Sequence, residues 1–241
     1  MSLDSVRRTF EEFGRDDPLY AVLSHKDRKH NQWDPAEFFE TGRKEIAGVL
    51  DYLRDLGLTV QRGRALDFGC GVGRLSQALA EHFERVTGVD IAESMVRLAR
   101  GFNKHGNRVE YVVNTIDRLT FLESASIDFV YSNITLQHIP PEPALNYIRE
   151  FFRVLGPGGV AVFQVPDGKA YEPASFGQGL YNLRRRHLKR LWKTIRGKPP
   201  VEMHYIPFER VQAIIQESGG RLVHHVGVGQ RRNFRYCAAK T

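Results

Sequence analysis

Three glycines at alternate positions, Gly69, Gly71 and Gly73, stand directly behind Asp67 in the run ALDFGCGVGRLSQALAEHF, residues 65–83. Glycine in series costs backbone entropy, so it marks a chain that turns sharply or lets another group come close. Asp90 follows at roughly the 20-residue offset at which a carboxylate takes paired ribose hydroxyls. A strand ending in such a turn and opening a helix offers free backbone N–H groups and a positive dipole end, which suits a nucleotide-like ligand. His138 in TLQHIPPE and His204 in VEMHYIP are the histidines placed to take a proton near neutral pH. Tyr205 stands beside the second, whereas His224 and His225 fall in an expected strand and read as structural.

The elements that must position these residues are legible in the pattern. RALDF, RVTGVD, VEYVV, IDFVYS and GGVAVFQV are short apolar runs that read as five strands. Between them lie helical spacings in GRLSQALAEHF, in ESMVRLARGF and from Pro141 to about Leu155. Apolar strands alternating with amphipathic helices imply a parallel sheet covered on both faces, and the right-handed crossover rule makes it doubly wound. The ends differ. Residues 1–62 read as a helical cap, in which DPAEFFETGRKEIAGVLDYLRDLGL carries a capping Asp34 and a proline at the first helical position. PFERVQAIIQESGG is a helix stopped by two glycines, and RLVHHVGVG and NFRYCAAK form a hairpin across QRR. The expected organisation is one domain over 1–241: the cap at 1–62, a ligand-binding core at 63–165, a basic insertion at 166–203, and a helix and hairpin at 204–241.

Composition narrows the class. An apolar content of 41% with 26% charged residues is that of a globular chain with a real core. No run is long and apolar enough for a membrane helix, and the first residues lack the apolar block of a secretory signal, so a cytoplasmic protein is expected. Cys70 and Cys237 stand far apart with no second pair near either, which argues against a disulfide framework, and no metal is expected. The net charge of +7 is local: the stretch from Pro173 to Val201 has eight basic residues and no acidic one, leaving the rest of the chain at −1.

Three details separate the glycine loop from nicotinamide and phosphate sites. The third glycine comes one residue early for the dinucleotide fingerprint, where Arg74 stands instead; Asp67 would repel a pyrophosphate; and no Gly-Lys-Ser/Thr follows. A ligand with an adenosine, an ammonium and a sulfonium but no phosphate fits: S-adenosylmethionine. The sequence resembles the class I S-adenosylmethionine-dependent methyltransferases in four ordered motifs over roughly residues 40–165. LDFGCGVGRLSQALA looks like their first motif, VTGVDIAESMV like the acidic end of their second strand, DFVYSNITLQHI like their fourth-strand motif, and REFFRVLGPGGVAVFQV like the helix–turn–strand that follows. The resemblance implies an α/β fold with a doubly wound, mostly parallel, seven-stranded Rossmann-like sheet, an antiparallel C-terminal hairpin strand and helices on both faces.

It also implies roles. Gly69 and Gly71 would face the methionine part of the cofactor, with Cys70 a small filler and Gly73 completing the loop. Asp67 would order the loop near the ammonium, Asp90 bind the ribose, and Ile91 and Met95 lie against the adenine. Asn133 would meet the ammonium through its backbone carbonyl. The acidic residue that many relatives have after the third strand is missing: Asn114, Thr115 and Ile116 stand there, Thr115 and Ile116 being the expected cofactor neighbours, and Asp117 lies one or two positions late. Trp33, Phe38 and Phe39 could roof the cofactor and Arg43 reach its carboxylate. Transfer to a hydroxyl needs a base, for which His138 leads and His204 follows.

The expected function is therefore methyl transfer to a small-molecule or glycan- or lipid-like acceptor, at oxygen, giving S-adenosylhomocysteine. GLYNLRRRHLKRLWKTIRGKPP pairs an apolar stripe with arginine and lysine. Such a helix can pack on its own domain, lie on an anionic membrane, cover an acidic substrate or bind nucleic acid. An RNA methyltransferase anchored by residues 184–198 and a non-catalytic cofactor-binding module are the alternatives.

Overall fold

A computed structural model describes residues 2–167, 201–228 and 233–241. The basic segment and the QRR turn lie outside the described residues. The strands are β1 (Arg64–Phe68), β2 (Arg85–Asp90), β3 (Val109–Val113), β4 (Ile127–Ser132), β5 (Leu155–Pro166), β6 (Gly220–Val228) and β7 (Asn233–Lys240). They form one sheet in the order β3-β2-β1-β4-β5-β7-β6. The first five run parallel, and β7 is antiparallel to both β5 and β6. Asp67 pairs with Gly88 on one side and Tyr131 on the other, so the chain leaves β1 toward β2 and returns beyond it at β4. Connections diverge at that point, which leaves a crevice at the carboxyl ends of β1 and β4.

Helices α3 (Pro35–Asp55), α4 (Arg74–Leu79) and α5 (Glu93–Phe102) cover one face, with Ile46, Leu53, Leu79 and Val96 packed on Ala65 and Phe129. On the other face α6 (Pro141–Val154) and α7 (Phe208–Glu217) set Phe151, Phe152 and Ile215 against Leu66 and Val130. The alternation of Ala65 and Leu66 between faces is the period-2 geometry of a strand buried on both sides. Deleting one of these phenyl groups costs about 3–5 kcal/mol.

Local chemistry sets the boundaries. Asp34 accepts the Glu37 backbone N–H at 2.9 Å and Pro35 opens α3. Gly57, at φ 71°, ends it in a Schellman turn, with Leu58 N donating to Leu53 O and Gly57 N to Arg54 O. Helix α4 stops at Leu79, short of the expected Phe83, because the chain tightens to stack Phe83 on Phe129 at 5.4 Å. Leu155, expected to end α6, starts β5 by pairing with Ile127. Ahead of α3 lie α1 (Leu3–Asp16) and α2 (Pro18–Val22). Among the described residues no helix is long and apolar enough to cross a membrane, and no group of histidine, cysteine and acidic side chains is arranged to hold a metal ion.

Candidate active site

The crevice at the ends of β1, β2 and β4 is an open cavity whose empty space, with the adjoining solvent included, is about 920 Å³. Gly69, Cys70 and Gly71 form one wall, Asp90, Ile91 and Met95 a second, and Asn133, Ile134, Thr135 and His138 a third. Its roof is Val6 and Phe10 of α1 with Ala21 and Val22 of α2. Trp33, Phe38 and Phe39, the roof expected from the sequence, lie elsewhere: they pack edge to face in a row ending on Phe102. Tryptophan and phenylalanine at helical spacing serve there as core behind α2, with Trp33 Nε1 donating to Leu23 O at 3.0 Å. The roof that sequence reasoning missed had a signal in Val6, Phe10 and Phe13, apolar at helical spacing in a charged segment.

Gly69, Gly71 and Gly73 all take positive φ, at 80°, 53° and 85°. The turn is secured as the Gly69 and Cys70 N–H groups both donate to Val89 O, at 2.8 and 2.9 Å. Protein side chains come close to these glycines. A Cβ at Gly69 would meet Thr135 at 2.1 Å, one at Gly71 would meet Val22 at 2.5 Å, and one at Gly73 would meet the Tyr111 hydroxyl at 2.3 Å. Gly73 caps α4 facing Tyr111 and does not line the cavity. Cys70 does, and burial pushes its thiol well above the ordinary range, so it is neutral.

The two loop carboxylates differ. Asp90 borders the cavity, with one oxygen accepting Gly71 N–H and the other Ala92 N–H, each at 2.9 Å. Burial raises its pKa against those hydrogen bonds. Asp67 lies beneath the loop and does not line the cavity. Ser76 Oγ donates to its Oδ2 at 2.6 Å, and its Oδ1 is buried without a partner among the described residues. Burial pushes its carboxyl up to about 7, against the pull of Ser76 and Arg74.

Arg43 turns outward to Glu40 and Glu81, away from the cavity. The guanidinium-bearing residue that lines it is Arg74, whose side chain is 3% exposed. Arg74 Nη2 donates to Glu45 Oε2 at 2.7 Å and Nη1 to Thr41 Oγ1 at 3.3 Å. Glu45 Oε1 accepts the Tyr131 hydroxyl at 2.8 Å and the Asn133 side-chain amide. The next residue, Ile134, has φ 61°, a left-handed conformation rare for a β-branched side chain.

Thr115 and Ile116 are exposed and outside the lining; Asn114 takes their place. The reason is a clamp on the Ile116 carbonyl, which accepts Asn114 Nδ2 at 2.7 Å and the Tyr147 hydroxyl at 2.6 Å, so that Ile116 projects outward. His138 lines the cavity against Phe10, their rings 5.7 Å apart. Its Nδ1 lies 3.0 Å from Glu202 O and its Nε2 3.0 Å from Gln137 Nε2. A carbonyl only accepts, so Nδ1 carries the proton and Nε2 the lone pair. Burial lowers its pKa, which keeps the ring neutral. His204 is outside the lining, and its backbone N–H donates to Gln137 O at 2.7 Å. His224 Nδ1 lies 2.8 Å from the Tyr52 hydroxyl, and His225 packs on Phe234 and Phe208.

Residues 65–159 match a family model described as a methyltransferase domain. The ubiquinone biosynthesis O-methyltransferase of Bordetella avium is 31% identical over 132 residues, 54% of this chain and 54% of that protein. The enzyme of the same name from Idiomarina loihiensis is 33% identical over 132 residues with the same coverage. The chain thus spans about half the length of the curated relatives it matches. Among solved structures, magnesium protoporphyrin IX methyltransferase from Synechocystis PCC 6803 with bound SAH superposes with a TM-score of 0.61 at 20% identity, over 98% of both chains. An S-adenosylmethionine-dependent methyltransferase from Mesorhizobium loti gives 0.60 at 22% identity, covering 79% of this chain and 96% of that one. At those identities the superpositions speak for the fold, and the family-model match speaks for residues 65–159. The chain thus carries a methyltransferase domain over residues 65–159, set in a fold similar to that of S-adenosylmethionine-dependent methyltransferases.

Proposed function

We propose that the protein binds S-adenosylmethionine in this cavity and transfers its methyl group to the oxygen of a small-molecule acceptor. The observation that carries the reading is Asp90: a partly buried carboxylate at the cavity edge whose two oxygens each hold one backbone N–H. A carboxylate has about four lone-pair sites, so two remain for a pair of hydroxyls. Ile91 and Met95 offer apolar contact beside it. The one Arg or Lys among the described lining residues is Arg74, already paired with Glu45, so these residues hold no free cation for a phosphate.

When bound, the cofactor supplies an activated methyl group on a sulfonium. The protein's share is then to align the acceptor, exclude water and manage a proton. Val6, Phe10 and Val22 roof the cavity against solvent. His138 would act as the base: its Nδ1–H is held by Glu202 O, which fixes the tautomer and leaves Nε2 to take the proton of an acceptor hydroxyl. The Gln137 amide now meets that lone pair and must swing aside for the acceptor. The imidazolium so formed keeps its Nδ1–H bond. The relatives' names support oxygen as the acceptor atom, being O-methyltransferases.

Calorimetry with S-adenosylmethionine, S-adenosylhomocysteine and NAD on the wild type and Asp90→Ala tests the reading. Binding of the first two and its weakening in the variant are expected; a preference for NAD would overturn it.

A further inference from the structure

The cavity wall contains one residue in a costly conformation, Ile134, and one buried network beside it with no assigned task. Ile134 sits at φ 61° and is 37% exposed at the cavity, so burial of its own side chain does little to hold it there. A β-branched residue leaves the left-handed region unless its neighbours hold it. The neighbour on one side, Thr135, donates its hydroxyl back to Asn133 O at 3.1 Å, and Thr135 also fills the space over Gly69. On the other side the Asn133 amide is bonded to Glu45, 88 positions away in the sequence.

We propose that Glu45 is a positioning residue: by gripping the Asn133 side chain it keeps Ile134 left-handed and so aims the Asn133 carbonyl and Thr135 at the cofactor cavity. The inference rests on the methyltransferase reading given above. Glu45 suits the task because it is itself immobilised. Arg74 fixes Oε2, the Tyr131 hydroxyl shares Oε1, and Arg74 is anchored in turn on Thr41, one turn before Glu45 in α3. Helix α3 thus reaches past β1 to brace the loop that follows β4. The Asn133 amide is committed to Glu45, and its backbone carbonyl accepts the Thr135 hydroxyl, so side chain and carbonyl are held by different partners.

The test uses Asn133→Ala, which cuts the grip but leaves the Glu45–Arg74 pair and the backbone carbonyl in place. Affinity for S-adenosylhomocysteine, read by calorimetry, should fall about tenfold, the equivalent of about 1.4 kcal/mol. Adding Ile134→Gly, for which the left-handed conformation is free of strain, should restore most of that loss. A purely structural Asn133 would show no such rescue. Urea denaturation of the same proteins, with Ile134→Gly alone as the fourth, gives a second readout that needs no ligand. Ile134→Gly should stabilise the wild type more than it stabilises the Asn133→Ala variant, where the turn has already relaxed. Equal effects of glycine in both backgrounds, or unchanged affinity in Asn133→Ala, overturn the proposal. A wild type that binds neither S-adenosyl ligand overturns the cofactor reading instead, and the denaturation cycle still decides whether Glu45 holds the turn.

Discussion

Val22 of α2 lies so close over Gly71 of the glycine loop that a Cβ at Gly71 would come within 2.5 Å of Val22 Cγ2. The glycine is required twice, by φ 53° and by that contact. Gly71→Ala should therefore destabilise by about 1–3 kcal/mol and push α2 off the loop. Adding Val22→Ala removes the collision but not the backbone strain, so urea denaturation should show partial recovery. Full recovery, or none, would mean that only one of the two causes operates.

Asp90 is held by two backbone N–H groups and borders the cavity. Asp90→Ala should weaken S-adenosylhomocysteine binding by about tenfold or more, since hydrogen bonds to a charged group are worth about 1.5–3 kcal/mol. Calorimetry gives the number directly; undiminished affinity would take Asp90 out of the site.

Asp67 provides a pH signature. Its carboxyl titrates at about 7 in the fold, against 3.8 as the ordinary value. Between those values the native state holds a proton that the unfolded chain has released. Its contribution to stability is therefore complete at low pH and lost as pH rises through about 7. Partly buried histidines such as His138, with lowered pKa, slope the other way in the same window, so the comparison must be with Asp67→Asn. Stability of the wild type minus that of the variant should fall from about pH 4 to about pH 8. A flat difference would show that Asp67 is ionised throughout.

Helix α5 begins at Glu93 after Ala92, which has no capping side chain, and Glu11 of α1 supplies the missing group. Its carboxylate accepts Glu93 N–H at 2.6 Å and Ser94 N–H at 3.2 Å, while Gly14 lets α1 lie directly on Ser94. Glu11→Ala should cost about 0.5–2 kcal/mol, as loss of an N-cap does. Hydrogen exchange should speed up across α1 and the first turn of α5 and leave β1 and β4 protected.

His138→Ala should lower kcat about 10²–10⁴-fold for a hydroxyl acceptor, with little change in cofactor affinity. Because burial holds its pKa below the ordinary 6.5, the acid limb of kcat/KM in the wild type should lie below pH 6.5. A variant with unchanged kcat would remove His138 from the chemistry.

The strands β1 to β4 were legible residue for residue, because a parallel strand buried on both faces reads as a short apolar run closed by glycine, aspartate or asparagine. RVTGVD and IDFVYS need no tertiary knowledge. Gly69, Gly71, Asp90, Ile91 and Met95 were findable for the same reason: each sits at a fixed offset from a strand end, and all line the cavity. What was illegible depends on partners distant in sequence. Arg43 and Arg74 are both arginines near the site, and only the placement of Glu40, Glu81 and Glu45 decides which turns inward. Thr115 and Ile116 lost their expected place to Asn114 through a carbonyl clamp from Tyr147, 31 residues on. The roof helices show a spacing but no address.

The sheet order has a consequence in time. β7 is the last strand in sequence, yet it lies between β5 and β6, pairing Ala239 with Val160 and Asn233 with Pro166. During synthesis the parallel half and β5 are made first and must wait for it. Until β7 docks, β5 is an open edge whose side chains are destined for the interior, Val160, Val162 and Val165 among them. Such an edge recruits strands from other molecules, and closure across so long a stretch of chain is slow. Residues 233–240 thus act as a keystone: a chain stopped before them would aggregate at β5, however complete its cavity.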